Sequence, residues 1–504
     1  MLTEYVEKIL KARVYDVAIE TPLDIMPRLS KKTNNTVLLK REDLQPVFSF
    51  KLRGAYNRMS QLSAEERVHG VVAASAGNHA QGVALSAEKM GISAIIVMPK
   101  TTPPIKIEAV RSYGAEIILH GNSYDEAYAY AMNIVKEQDR TFIHPYDDPE
   151  VIAGQGTIAM EIMRQHPDPL HAIFVPVGGG GLIAGIAAYI KAFWPEIKII
   201  GVEPADAASL KAALEAGERV VLDQVGLFAD GTAVRQVGAE PFRIARETVD
   251  EVVVVDSDEL CAAIMDIFDD TRSIAEPSGA LAVAGAKKYL AREKLTNEHV
   301  VVIDSGANIN FDRLRHVAER AELGERREVL FAVTIDEQPG SFQMFCQALS
   351  DRGITEFNYR YADKQQAQVF VGVRLTGGDN ERQALFASLE KAGYQWTDFS
   401  DNEMAKLHVR YMVGGHAPQV ENERLFRFEF PERPGALLRF LTRIGQRWNI
   451  SLFHYRNHGA AYGRVLVGVQ VPDDEQADFQ GFLDALGYQH WQESDNPAYD
   501  LFLK

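Results

Sequence analysis

From about residue 36 to 310 the chain alternates short β-branched runs with longer stretches whose apolar residues recur at helical spacing. Residues 37–40, 70–73, 94–98 and 116–119 read as buried strands, and so do 173–177, 198–202, 251–255 and 300–303. Helical patterning over 79–90, 104–113, 123–137 and 181–194 separates them. Near-continuous apolar strands alternating with helices predict an α/β fold, with parallel strands covered on both faces. On such sheets ligands bind where strand ends lead into helices.

Past about residue 318 the pattern changes. Residues 319–328 form a charged segment that suits an exposed connection, and beyond it the chain repeats itself. Leu330-Phe331 … Pro339-Gly340 recurs as Leu425-Phe426 … Pro434-Gly435. Phe357-Asn358-Tyr359-Arg360 recurs as Phe453-His454-Tyr455-Arg456, and Val369-Phe370-Val371-Gly372-Val373 as Val465-Leu466-Val467-Gly468-Val469. Each copy reads strand, Pro-Gly turn, helix, strand, strand, helix, strand, so the tail is two copies of one small module.

Composition narrows the picture without deciding it. A chain of 504 residues exceeds one compact core. A net charge of −17 argues against a nucleic-acid or anionic-membrane partner, because phosphate binding needs a basic face. Cys261 and Cys346 lie far apart in apolar settings, which suits two buried thiols in a reducing compartment better than a disulfide or a metal site. The N-terminal stretch lacks the apolar run of a signal peptide. The most membrane-like segment, 171–190, contains four glycines and a proline and reads as strand, loop and helix. A soluble, cytoplasmic protein is expected.

Four segments could carry chemistry. Gly178, Gly179, Gly180 and Gly181 follow a strand and open a helix, the arrangement that lets backbone N–H groups approach a phosphate. Gly179-x-Gly181-x-x-Ala184 with Glu203 also satisfies a degenerate dinucleotide fingerprint, so a nicotinamide dehydrogenase stays open on this segment. The 75–79 loop, Ser75-Ala76-Gly77-Asn78-His79, likewise runs from strand to helix and suits a carboxylate, or is a helix cap and nothing more. Ser305, after the strand 300–303, can exchange one hydrogen bond. Lys51 stands between Phe50 and Leu52, where burial would lower its pKa and free the amine for Schiff-base chemistry. An amine, a phosphate cradle, a carboxylate loop and a lone hydroxyl together match pyridoxal phosphate bound to an amino acid.

In that order, Ser49-Phe50-Lys51-Leu52-Arg53-Gly54-Ala55, Ser75-Ala76-Gly77-Asn78-His79, Gly178-Gly179-Gly180-Gly181-Leu182 and Ser305-Gly306-Ala307-Asn308 resemble the motif set of the serine/threonine dehydratases. These are tryptophan-synthase-β-like pyridoxal phosphate enzymes, and with its duplicated tail the chain resembles their biosynthetic branch over essentially its whole length. The resemblance implies a two-lobed parallel-sheet catalytic domain over 1–320, with a small lobe inserted at about 40–145. It further implies a linker at 321–329 and two ferredoxin-like ACT-type regulatory modules at 330–410 and 425–504.

It also implies roles. Lys51 would hold the cofactor covalently and then take the α-proton, with Phe50 against the pyridine ring. Asn78 would bond the ring hydroxyl, while Ser75, Ala76, Gly77, Asn78 and His79 line the substrate carboxylate site. Gly178, Gly179, Gly180, Gly181 and Leu182 would cradle the phosphate, and Glu276 would lie near the substrate. Ser305 would bond the pyridine nitrogen. A hydroxyl there leaves the ring a weaker electron sink than a carboxylate partner would, which favours elimination over transamination. Asp304 departs from the aliphatic residue expected before the Ser-Gly-Ala-Asn run. The implied substrates are L-threonine and L-serine, the implied effectors isoleucine and opposing valine, and the implied assembly a homotetramer without metal. The regulatory segments 357–360 and 453–456 are the natural effector candidates. A non-catalytic amino-acid sensor, a degradative dehydratase and a sulfur-transferring relative are the other readings.

Overall fold

The computed structural model describes residues 2–503 except 312, 350–351, 362–364, 413, 432–435, 445–446, 457–461, 498 and 500–502. It divides into two units, Met1–Ala321 and Glu322–Lys504. Among the described residues no helix is long and apolar enough to cross a membrane.

The first unit holds two sheets. Its strands are β1 (Leu23–Ile25), β2 (Thr36–Arg41), β3 (Val71–Ala74), β4 (Ala94–Met98), β5 (Glu116–Leu119), β6 (Thr141–Phe142), β7 (Ala172–Pro176), β8 (Lys198–Pro204), β9 (Glu251–Val255) and β10 (His299–Asp304). The larger sheet runs β1-β2-β10-β7-β8-β9 and the smaller β5-β4-β3-β6. Every pairing is parallel except β1 with β2, an antiparallel edge strand. Strands β1 and β6 are too short to carry a pattern, and the sequence reading missed both. The β7, β3 and β4 strands are buried along their whole length, which is why their sequences are unbroken apolar runs rather than alternating ones.

Helix Lys51–Ser60 lies between helix Asn78–Met90 and helix Pro149–Gln165. Glycines allow the close approach: a Cβ on Gly54 would stand 2.7 Å from the Val151 carbonyl oxygen, and one on Gly154 2.7 Å from that of Arg53. Two charged pairs then fix the helix. Arg53 grips Glu42 through Nε and Nη2 at 2.8 Å each, and Glu161 through Nη1 at 2.6 Å and Nη2 at 3.0 Å. Lys40 donates to Glu161 and to the Thr21 carbonyl, both at 2.6 Å. All four charged side chains are shielded completely from solvent.

In the second unit β11 (Glu328–Asp336), β12 (Ile354–Arg360), β13 (Gln366–Arg374) and β14 (Gln395–Asp398) make the first copy. β15 (Glu423–Pro431), β16 (Asn449–Arg456), β17 (Tyr462–Gln470) and β18 (Gln489–Gln492) make the second. They share one antiparallel sheet, β14-β11-β13-β12-β16-β17-β15-β18, so the strand order of one copy mirrors the other. The copies join where β12 pairs with β16, Phe357 opposite Tyr455 and Tyr359 opposite Phe453. Both strands slip register at equivalent points, 354/356 and 450/452. Val329, Phe331, Val333 and Ile335 enter one core at alternate positions, while Leu330 faces the other side with Phe370 and Ala405. The first Pro-Gly turn needs its glycine, because Gly340 has φ +91°. The second, Pro434-Gly435, lies outside the described residues.

Of the segment 321–329, residues up to 324 continue helix Arg313–Gly324 and Glu328 already opens β11. Both cysteines are buried and free, and burial pushes both thiols up.

Replacing Arg53 with Met would leave the buried Glu42 with only the neutral donors Thr21 and Gln45, and Glu161 with Lys40 and Tyr15, a cost of about 3–5 kcal/mol. Urea unfolding of the full chain should show the transition of the first unit moved to lower denaturant; an unchanged midpoint would refute this account of the buried cluster.

Candidate functional site

Strands β7 and β10 are neighbours, but the chain leaves β7 toward β8 and β9 while β10 lies on its opposite flank. Their carboxyl-end loops therefore diverge and leave a crevice. The small sheet repeats the arrangement, with β3 leading to β4 and β5 on one side and β6 on the other. Four loops thus surround one cleft: 178–181 after β7, 305–308 after β10, 75–79 after β3, and His144-Pro145-Tyr146 after β6.

The cleft is narrow and part-open to solvent. Phe50, Lys51, Asn78, Gly178, Gly179, Gly180, Gly181, Leu182, Glu276 and Ser305 all line it. The Lys51 amine donates to the Pro145 carbonyl at 3.1 Å and stands 5.2 Å from the centre of the Phe50 ring. Burial pushes its pKa down to about 8, against the opposing charge of Glu276. The Lys51 loop is tied directly to β10, because Phe50 N–H donates to the Ser305 carbonyl at 3.4 Å and Ala307 N–H to that of Phe48 at 2.9 Å.

Gly180 caps helix Gly181–Phe193 with φ +91°, and its Cβ would meet Pro241 at 2.8 Å. At Gly179 a Cβ would stand 2.2 Å from the Tyr146 ring, and at Gly178 2.9 Å from the Thr232 backbone. The glycines therefore leave an open helix N-terminus under a close roof. The Ser305 hydroxyl is buried and donates to the Ser278 carbonyl at 3.3 Å.

The 75–79 loop divides. Asn78 reaches the cleft, donating to Glu276 Oε1 at 2.6 Å and accepting from Asn308 Nδ2 at 2.7 Å. Burial, reinforced by the charge of Asp230, pushes Glu276 up to about 7. Ser75, Ala76, Gly77 and His79 are not among the lining residues. The Ser75 hydroxyl accepts from Gly77 N–H at 3.2 Å. His79 turns into the small lobe, where Nε2 donates to the Ile143 carbonyl at 2.8 Å and Nδ1 has no partner. Burial, aided by the charge of Lys51, pushes its pKa down to about 3.

Asp304 is fully buried below the cleft rather than in it. Its Oδ1 accepts from Gly306 N–H at 3.3 Å, and burial, with Asp43 nearby, holds its pKa well above the usual carboxylate range. Glu203 is engaged too, accepting from the N–H groups of Leu210 and Lys211 at 2.8 and 2.9 Å. It caps a helix start and is not free for a ribose, which removes the dinucleotide reading.

The sequence reading missed Tyr146, Gly231, Thr232 and Ser278 as lining residues. Tyr146 follows a strand of two residues, and only the Asp230-Gly231 pair was a visible turn signal for Thr232.

Comparison with known proteins gives a consistent result. Residues 14–306 match the family described as pyridoxal-phosphate dependent enzyme. Residues 319–409 and 414–503 each match the C-terminal regulatory domain of threonine dehydratase. The chain is 59% identical over 503 residues to the L-threonine dehydratase biosynthetic IlvA of Burkholderia multivorans, covering 99% of each chain. With the protein of that name from Escherichia coli it shares 55% over 500 residues, 99% of this chain and 97% of the other. Among solved structures, the processed form of threonine deaminase isoform 2 from Solanum lycopersicum superposes with TM-score 0.63 at 52% identity. That match covers 64% of this chain and 93% of the other.

With the Lys51 amine at about 8, acylation of Lys51 in cofactor-free protein should rise through that pH, whereas exposed lysines respond only near their ordinary value of about 10.4. Mass-spectrometric labelling across pH checks this; a Lys51 profile matching the surface lysines would contradict the burial argument.

Proposed function

Because this chain belongs to the pyridoxal-phosphate-dependent enzymes, and within them to the biosynthetic L-threonine dehydratases, we propose that its cleft around Lys51 is where L-threonine becomes 2-oxobutanoate and ammonia. The observation that supports this best is convergence. An amine of lowered pKa, a glycine-built helix N-terminus and a buried serine hydroxyl come from three distant segments to one cleft.

That donor set fits the cofactor, offering an amine to its aldehyde, N–H groups to its phosphate and a hydroxyl to its ring nitrogen. Bound there, pyridoxal phosphate supplies an electron sink for charge developing at the substrate α-carbon. The residues do the rest. Phe50 would cover one face of the ring, and Gly178, Gly179, Gly180, Gly181 and Leu182 would hold the phosphate. Asn78, fixed by Asn308, would present its amide to the ring hydroxyl. The backbone of the 75–79 loop, rather than its side chains, would receive the substrate carboxylate. Lys51, neutral in part near pH 8, would take the α-proton once its amine is free. Loss of the β-hydroxyl as water, followed by hydrolysis of the enamine, then gives the 2-oxo acid and ammonia. L-Serine, one methyl smaller, would be a second substrate.

We assign the second unit to feedback control by isoleucine, the amino acid this reaction leads toward, with valine opposing it. Phe357, Tyr359, Phe453 and Tyr455 are buried core residues, and Arg360 is held by Glu423, which turns attention from these strands. A small recess between the copies is the alternative candidate, lined by Gln338, Pro339, Gly340, Phe342, Leu441 and Trp448. A cytoplasmic homotetramer is proposed on family likeness alone.

Lys51→Ala should lose turnover and the visible absorbance of the bound cofactor together; a variant keeping both would end this assignment. A chain ending at Gly324 should keep turnover and lose inhibition by isoleucine, as steady-state assays of 2-oxo acid formation would reveal. Retained inhibition would move the effector site to the first unit.

A further inference from the structure

Several bonds join the small sheet's elements to the side of the cleft built by the large sheet, among them Asn78 with Glu276 and with Asn308, and the exposed pair Asp125 with Arg235. One half-buried ion pair lies outside the lining: Lys106, on helix Pro104–Arg111 after β4, reaches Asp230 at 2.6 Å across 124 residues of sequence. Asp230 opens the turn Asp230–Thr232 between β8 and β9. This turn touches the site at two points. A Cβ on Gly231 would stand 3.4 Å from Glu276 Oε1, and the Thr232 backbone lies against Gly178.

Asp230 has a second, longer cation contact, Arg313 at 3.5 Å. Arg313 also donates to the carbonyls of Phe228 and Leu227, at 2.7 and 3.2 Å, so it braces the turn from the large-sheet side. The turn therefore keeps a support when Lys106 is lost, and Lys106 does something Arg313 does not: it brings the small lobe to the turn.

We propose that Lys106 is a positioning residue, clasping the small lobe to the Asp230 turn and thereby setting both the width of the cleft and the charge environment of Glu276. The charged and polar groups facing Glu276 are Lys51 from the helix below, Asn78 and Lys106 from the small lobe, Asp230 from the turn, and Asp304 and Asn308 from the β10 side. Among these, Lys106 favours the carboxylate and Asp230 disfavours it, so the clasp balances one against the other. Opening it would leave the Asp230 charge beside Glu276 with only the more distant Arg313 to offset it.

The inference rests on the cleft being the threonine site, but the two can fail separately: Lys51→Ala tests the cleft, and Lys106 variants test the clasp. The test compares Lys106→Met, Lys106→Arg and Asp230→Asn in the full-length holoenzyme. Lys106→Met should raise KM for L-threonine about tenfold while kcat stays within about threefold, as expected when binding geometry rather than chemistry is lost. Amide hydrogen exchange over 99–111 should quicken. The limb of the kcat/KM profile near pH 7 should move up in Lys106→Met and down in Asp230→Asn, because the two remove opposite charges from beside Glu276. Lys106→Arg should restore KM and the limb. Limbs that move the same way, or not at all, would overturn the proposal, and so would a KM loss that Lys106→Arg leaves unrepaired.

Discussion

Arg53 is two residues from Lys51 on the same helix, and nothing of its guanidinium meets solvent. Burying a charge costs several kcal/mol unless partners replace the lost water. Here Glu42 and Glu161 supply four contacts, and Lys40 balances the second carboxylate. The cluster draws on β2, the turn after it, and helix Pro149–Gln165, so none of these can move without breaking a buried ion pair. Helix Lys51–Ser60 is thereby fixed at its first turn, where the Lys51 amine is. With Gly54 and Gly154 removing the side chains between helices, the amine's position is set by elements that share no sequence proximity.

The cleft follows from topology in the same way. Each sheet of the first unit reverses its strand order at one place, and each reversal leaves diverging loops. The large sheet contributes the glycines and Ser305, and the small sheet contributes Asn78 and Tyr146. Facing the two crevices toward each other assembles a site that neither sheet could make alone. The groups brought together there are an amine with its pKa lowered to about 8, a glycine-built helix N-terminus and a buried serine hydroxyl.

Much of this was legible beforehand where local pattern and structure coincide. Most of the longer strands of the first unit were visible because strands buried on both faces leave unbroken apolar runs, and the less buried β5 and β9 because their residues are largely β-branched. The duplication was visible because β12 and β16, and β13 and β17, share most residues of one four- or five-residue stretch each, in the same order and spacing. Tyr146 was hidden because β6 has two residues, too few to show a period. Thr232 and Ser278 were hidden because their place in the cleft comes from a turn and a helix start far apart in the chain. His79 shows the opposite failure: it stands inside the most suggestive loop, yet the helix start at Asn78 turns its ring away into the small-lobe core. Glu203 fitted a dinucleotide pattern, and capping two backbone N–H groups gave it another task.

By itself, the sequence determined the chemistry available: a lysine flanked by apolar residues, four glycines before a helix, a serine after a strand, and two copies of a small module. Residue type and local spacing are enough for that, since they decide which backbone and side-chain groups exist and which helix starts are open. Tertiary structure alone decided which of these groups meet, how far burial lowers the Lys51 pKa, and that Asn78 rather than Ser75 or His79 faces the cleft. Those outcomes depend on desolvation and on distances between segments more than a hundred residues apart, and neither is a property of any short stretch of chain.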